Sequence, residues 1–252
     1  MSPDDNSSID SGPMRLDKFV SQASGLSRKQ VQKLIRKGEV SVDGECCRDG
    51  ATKVMPQQSV CLDDEPLQLR GPIYLMLNKP LGVVCSTEDF DHETVLDLLP
   101  YDLQEGVHPA GRLDIDTSGL VLLTDDGQWS HRVTSPKGRA PKSGAAKKGV
   151  FKRYRVELAE PLCDKAEQRL DEGLMLRGET KPTLPAKLQR LSPTEVLIEI
   201  QEGRYHQVKR MFAVLGNRVV GLHREAIGAL ALDPELEPGQ YRALETHEID
   251  LF

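Results

Sequence analysis

In the segment HPAGRLDIDTSGLVLLTDDG at 108–127, three charged residues, Arg112, Asp114 and Asp116, crowd the loop between a Pro/Gly-containing approach and an apolar run. A loop at the mouth of a buried strand is where a rigid scaffold can present functional groups. A carboxylate placed there can act as a nucleophile, bind a cation or cap a turn, and local pattern alone favours the turn. A second set lies on RYHQVKRMFAVLG at 204–216. Val208, Met211, Phe212 and Leu215 recur there at helical core spacing and leave His206, Lys209 and Arg210 on other faces.

Two chemistries can be weighed directly. Asp116-Thr117-Ser118-Gly119 superficially looks like an aspartic-protease signature, but that motif needs Gly directly after the Thr or Ser, and Ser118 intervenes. A proton-sharing carboxylate pair would also need a second copy or a dimer. A divalent cation between Asp114 and Asp116 requires the two side chains to converge, and they are expected to diverge.

The elements that must position these groups follow from periodicity. Strand patterns occur at 73–80, 82–87, 119–127, 154–160, 195–200 and 217–224, and helical ones at 94–100, 128–135, 164–173 and 204–216. Their irregular alternation, without βαβ regularity, predicts an α+β domain over 73–252 built on a mixed or antiparallel sheet. Residues 64–72, DEPLQLRGP, read as a linker, and the Ser-, Asp- and Pro-rich residues 1–13 as a disordered tail.

Between them, 14–63 reads as a small domain. A short helix carries Leu16, Phe19 and Val20 on one face, then Ser27 caps a second helix that Gly38 ends. Val31, Leu34 and Ile35 form its buried stripe, so Arg28, Lys29, Lys33, Arg36 and Lys37 make an exposed basic face. A turn at Asp43-Gly44 and a strand at 59–63 follow.

Composition sets the outer bounds. The 252 residues can bury a large and a small core without staples. Cysteines at 46, 47, 61, 85 and 163 form no CxxC pair and leave an odd count, which argues against structural zinc or a disulfide framework and suits a reducing cytoplasm. With no signal core and no apolar run of about 18 residues, a soluble, cytoplasmic chain without a membrane partner is expected. The net charge of -6 does not by itself suggest a nucleic-acid partner, but its distribution does. Residues 14–53 hold nine basic and five acidic residues, a local +4, and 137–153 hold seven basic and none acidic. That second stretch reads as a mobile loop, either touching phosphate or merely solubilising.

The order of two helices and a small hairpin with an exposed basic helix resembles the alpha-L RNA-binding motif of ribosomal protein S-four. Four further segments, LNKPLGVVCST (77–87), GRLDIDTSGLVLLT (111–124), KRYRVEL (152–158) and EGRYHQVKRMFAVLGNRVVGLHREAIG (202–228), resemble in order the motifs of pseudouridine synthases. With the N-terminal domain, the chain is similar to the ribosomal small-subunit pseudouridine synthase A (RsuA) family. The resemblance implies isomerisation of a uridine in 16S ribosomal RNA, free or in a partly assembled particle, with no cofactor or metal needed; with no exposed heptad pattern to demand a dimer, a monomer is the default expectation. The target it implies is uridine 516. A synthase of 23S ribosomal RNA and a non-catalytic RNA-binding assembly factor remain alternatives.

Site roles come from the same resemblance. Asp114 is implied as the nucleophile, Lys209 as the basic residue that keeps it charged, where many relatives carry Arg, and Tyr154 as the residue that stacks on the target base. Arg112, Arg204 and the basic helix are implied as RNA contacts, with Leu222 as an apolar wall of the pocket.

Overall fold

The computed structural model describes residues 12–69, 71–135 and 150–252. The predicted tail, apart from residues 12–13, and most of the predicted basic loop, 137–149, lie outside the described residues. The chain divides into two compact units at Gly71/Pro72.

Unit 1 comprises β1 (Met14–Arg15), α1 (Leu16–Ser24), α2 (Arg28–Lys37), β2 (Val40–Val42), β3 (Glu45–Cys46), β4 (Lys53–Val54), β5 (Val60–Leu62) and β6 (Glu65–Leu67). Ser27 and Gln30 form a reciprocal capping box at the start of α2, and Gly38 closes it in the left-handed region at φ 87°. Val31 and Ile35 of α2 join Leu16, Phe19, Val20, Val40, Val54 and Val60 in one core, while Leu34 is only half-buried. Asp43 and Gly44, both at positive φ, make the β2–β3 turn. The sheet runs β3-β2-β5-β6, so the segment predicted as a linker instead supplies an edge strand. Asp63 and Asp64, also at positive φ, form the tight turn that returns the chain onto β5.

Unit 2 comprises β7 (Tyr74–Lys79), α3 (Tyr101–Gln104), β8 (His108–Pro109), β9 (Ser118–Thr124), α4 (Gly127–Thr134), β10 (Lys152–Leu158), α5 (Ala166–Glu172), β11 (Lys187–Arg190), β12 (Glu195–Ile200), α6 (Gln207–Val214), β13 (Val219–Ile227), β14 (Leu230–Ala231), β15 (Tyr241–Ala243) and α7 (Thr246–Ile249). Its sheet runs β11-β12-β10-β13-β9-β7-β15 and is mixed, with β9 and β13 parallel and the other pairs antiparallel. The α+β class is as expected. Among the described residues no helix is long and apolar enough to cross a membrane.

Coverage of the sheet explains its sequence patterns. On β9, Val121 and Leu123 enter a core shared with α5 and α6, whereas Leu120 and Leu122 enter a second core with Trp129 and Phe252. A strand covered on both faces reads as an unbroken apolar run. β10 alternates buried and exposed positions and β12 buried and half-buried ones, as strands covered on one face do.

Two expected elements are replaced. Residues 82–87 contribute only the isolated bridge Val84–Thr94, and 94–100 is a series of turns instead of a helix. The Asp97 carboxylate accepts from the Thr94 amide and hydroxyl, both at 2.8 Å, and Pro100 disfavours helical backbone at Leu99. Val83, Val95, Leu96 and Leu99 still enter the core, so the apolar pattern reported burial without regular structure.

Candidate active site

Asp114 sits in the loop between β8 and β9. The Thr117 amide donates to the Asp114 carbonyl at 3.0 Å and closes a turn. Three contacts from the end of β7 and the segment after it hold that loop. The Gly82 amide donates to the Ile115 carbonyl at 2.8 Å, the Leu113 amide to Cys85 Sγ at 3.3 Å, and the fully buried Lys79 Nζ to the Thr117 carbonyl at 2.8 Å. Burial pushes the Lys79 ammonium below the ordinary lysine range, against the opposing pull of Cys85, Asp116 and Asp114. At the far side of the turn, Gly119 (φ 103°) lies against Arg224 of β13. A Cβ there would approach the Arg224 amide nitrogen to 2.7 Å, so only glycine permits this pairing of β9 and β13.

The cation comes from α6. Lys209 Nζ donates to Asp114 Oδ2 at 3.1 Å and makes a second, shorter contact to Asp116 Oδ1. The two carboxylates therefore converge, against expectation, because residues 114–117 turn and do not diverge along an extended segment. The pair is partly sheltered, with the Asp114 and Lys209 side chains 29% and 22% exposed. Burial opposes charge on Lys209, but hydrogen bonds and charges from Asp116 and Asp114 outweigh it and raise its pKa. The Lys209 hydrogen bond holds Asp116 below the usual carboxylate range.

The helix itself begins later than its pattern suggested. His206 is left-handed, at φ 47° and ψ 37°, so α6 starts at Gln207, and such a backbone at a non-glycine residue costs about 1–3 kcal/mol. Lys209 is then the third helical residue, where a cation is unfavourable against the helix dipole. The two carboxylates offset that. His206 Nε2 also lies 3.5 Å from Asp114 Oδ1, and the Tyr205 ring stacks on the imidazole at 3.8 Å between centroids.

Tyr154 is on the buried face of β10 and is 7% exposed. Arg224 Nη1 lies 3.4 Å from its hydroxyl, and no hydrogen bond joins it to Asp114 or Lys209 among the described residues. Arg224 is itself buried. Its Nε donates to the Leu120 carbonyl at 2.7 Å, and its Nη2 has no partner among the described residues. Leu222, two residues earlier on β13, lies in the same core as Tyr154.

The RNA pseudouridylate synthase family pattern matches residues 73–214, and the S4 domain pattern matches 14–60. The chain is 53% identical over 237 residues to "Ribosomal small subunit pseudouridine synthase A" of Yersinia pestis, covering 94% of this chain and 97% of that protein. It is 51% identical to the protein of the same name in Escherichia coli (strain K12), covering 94% and 98%. The chain belongs to the ribosomal small-subunit pseudouridine synthase A family. A solved structure titled "Crystal structure of pseudouridylate synthase" matches with a TM-score of 0.66 at 47% identity, covering 95% of this chain and 100% of that one. The protein is an RNA pseudouridine synthase, an isomerase, with an N-terminal S4 RNA-binding domain.

Within that family frame the expected site residues separate. Asp114 and Lys209 are in contact, and Tyr154 and Leu222 share a core. Arg112 is exposed and, among the described residues, makes no hydrogen bond or ion pair, while Asp116 pairs with Lys209. All five basic residues of α2 are exposed. The Arg204 guanidinium donates to the Lys181 and Pro182 carbonyls at 2.8 and 2.7 Å and to Glu202 at 3.1 Å, so it ties loops together. The basic loop also ends earlier than expected, because Lys152 and Arg153 open β10. Lys152 is buried without a hydrogen bond or ion pair among the described residues, and burial, with Arg224 adding to it, pushes its pKa down to about 8.

Periodicity missed Lys79, Arg224 and the contact of His206 with Asp114. Lys79 and Arg224 sit at buried positions of strands, where a charge is costly without polar partners, and that mismatch was their only sequence signal.

Proposed function

We propose that this protein converts one uridine of 16S ribosomal RNA, at position 516, to pseudouridine, with Asp114 as nucleophile. The observation that carries the assignment is the Asp114–Lys209 contact at 3.1 Å on a loop anchored to β7 and β13. The Asp114 carboxylate attacks C1′ of the ribose, and the C1′–N1 bond breaks with its electrons leaving on the base. The uracil turns, C5 bonds to C1′ as the Asp114 ester is released, C5 loses its proton and N1 gains one. The product is an isomer, and nothing is consumed.

Each remaining residue supports a step. Lys209 favours the ionised nucleophile by charge and hydrogen bonding. Tyr154 stacks on the base and assists proton removal at C5, while Leu222 forms the apolar wall beside it. The target uridine must leave its stack, at a cost of a few kcal/mol, and unpaired Arg112 helps to hold the displaced strand. Arg28, Lys29, Lys33, Arg36 and Lys37 bind RNA phosphates.

The test is carbodiimide mapping of 16S and 23S ribosomal RNA fragments after incubation with purified protein. Wild type is expected to modify one 16S uridine, and Asp114→Asn to be slower by at least about 10,000-fold with RNA affinity retained. Conversion by Asp114→Asn would remove the nucleophile assignment. Modification confined to 23S fragments would move the target.

A further inference from the structure

We propose that Tyr205 is a stacking platform for the nucleobase adjacent to the target uridine, a contact separate from that of Tyr154 with the target itself. The proposal rests on the synthase function above and adds a recognition residue to it.

The geometry is that of a presented ring. Tyr205 is 75% exposed, yet its ring is positioned by the imidazole stacked on one face at an interplanar angle of 20°. That imidazole is 3.5 Å from the nucleophile, so the platform stands at the rim of the reacting centre. The opposite face of the phenol ring carries no aromatic or cation–π contact among the described residues. A flat, solvent-facing π surface fits a nucleobase.

The backbone beneath the ring is clamped. Arg210 Nη1 donates to the Tyr205 carbonyl at 3.1 Å and to Glu179 at 3.0 Å, while Arg210 Nη2 donates to the Arg177 carbonyl at 2.7 Å. The Arg204 amide donates to Gln207 Oε1 at 2.9 Å, and Gln207 Nε2 donates to Glu202 at 2.8 Å. These contacts hold His206 in its left-handed conformation, which turns Tyr205 outward in place of another helical turn. A pre-ordered aromatic loses little freedom when a base lands on it. Flipping the uridine leaves its neighbour without a stacking partner, and Tyr205 supplies the replacement.

The experiment measures RNA affinity and single-turnover rates for wild type, Tyr205→Ala and Tyr205→Phe. The substrates are the intact 16S fragment and fragments with an abasic site on the 5′ or 3′ side of the target uridine. On intact RNA, Tyr205→Ala is expected to weaken binding by about 5- to 100-fold, and Tyr205→Phe by less than about twofold. On one of the two abasic fragments, wild type and Tyr205→Ala should bind equally weakly, which identifies the stacked neighbour. An unchanged affinity of Tyr205→Ala for intact RNA, or an equal loss on both abasic fragments, overturns the platform. Conversion by wild type reports separately on the synthase function. An active wild type with no Tyr205 effect sinks the platform alone, and an inactive wild type sinks both.

Discussion

The basic face of α2 and the Lys209 site use the same side-chain chemistry in opposite ways. On α2, exposed cations sit on one helix with a strong cap at each end, and the fold demands nothing of their individual positions. At Lys209, one half-buried ammonium bridges two carboxylates from a turn 93–95 residues away in sequence. The first arrangement acts by its sum of charge and is screened by salt. The second acts by distance, and its members cannot be exchanged for charge elsewhere. Lysine suits it because a compact ammonium has three donors for converging acceptors, whereas the planar arginine fork favours a single carboxylate.

Lys209→Met should break the contrast most severely, lowering kcat by about 100-fold while leaving RNA affinity within about twofold. Single-turnover rates at saturating RNA, with a binding titration alongside, check both values. An equal fall in affinity would make Lys209 another RNA-binding cation.

Lys152 sharpens the comparison as a largely buried cation with no carboxylate partner among the described residues. Its folded pKa of about 8 lies below the ordinary lysine value of 10.5, so between those values the unfolded chain binds more protons than the folded one. Stability therefore rises with pH across that window, by roughly 3 kcal/mol, and the penalty is fully present below about pH 8. Lys152→Met should remove most of the rise and stabilise the protein at neutral pH. Urea unfolding from pH 7 to 10.5 measures it, and parallel curves for the two proteins would contradict the burial.

The smallest effects belong to α2. Lys33→Ala and Arg36→Ala should each weaken RNA binding only severalfold, reduce the salt-dependence slope by about 0.7–0.9, and leave kcat at saturating RNA unchanged. Affinities measured across a salt series decide it. A large loss from either single change would make α2 a geometric reader, like the Lys209 site.

The same contrast governs what was legible in the sequence. Caps, turn glycines and helical stripes act over a few residues, so α1, α2, the Asp43-Gly44 hairpin and the basic face could be read directly. Strands β7, β9, β10, β12 and β13 declared themselves by apolar runs or alternation. Short edge strands did not, because KLQR at β11 and YRA at β15 bury too little to leave a pattern. Asp114 was recognisable only through resemblance, since the turn alone favoured a structural role. Its link to His206 depends on a left-handed backbone within an otherwise helical pattern, which side-chain spacing does not encode.

Gly119 turns the central sheet into a gauge for the chemistry. With no side chain between β9 and the backbone of Arg224, the parallel pairing there tolerates no wedge. A slip of one residue would carry the nucleophile about 3.3 Å along the strand, longer than its contact with Lys209. Length changes in the β8–β9 loop must therefore be taken up before Asp114, and the reach of the carboxylate is inherited from strand register.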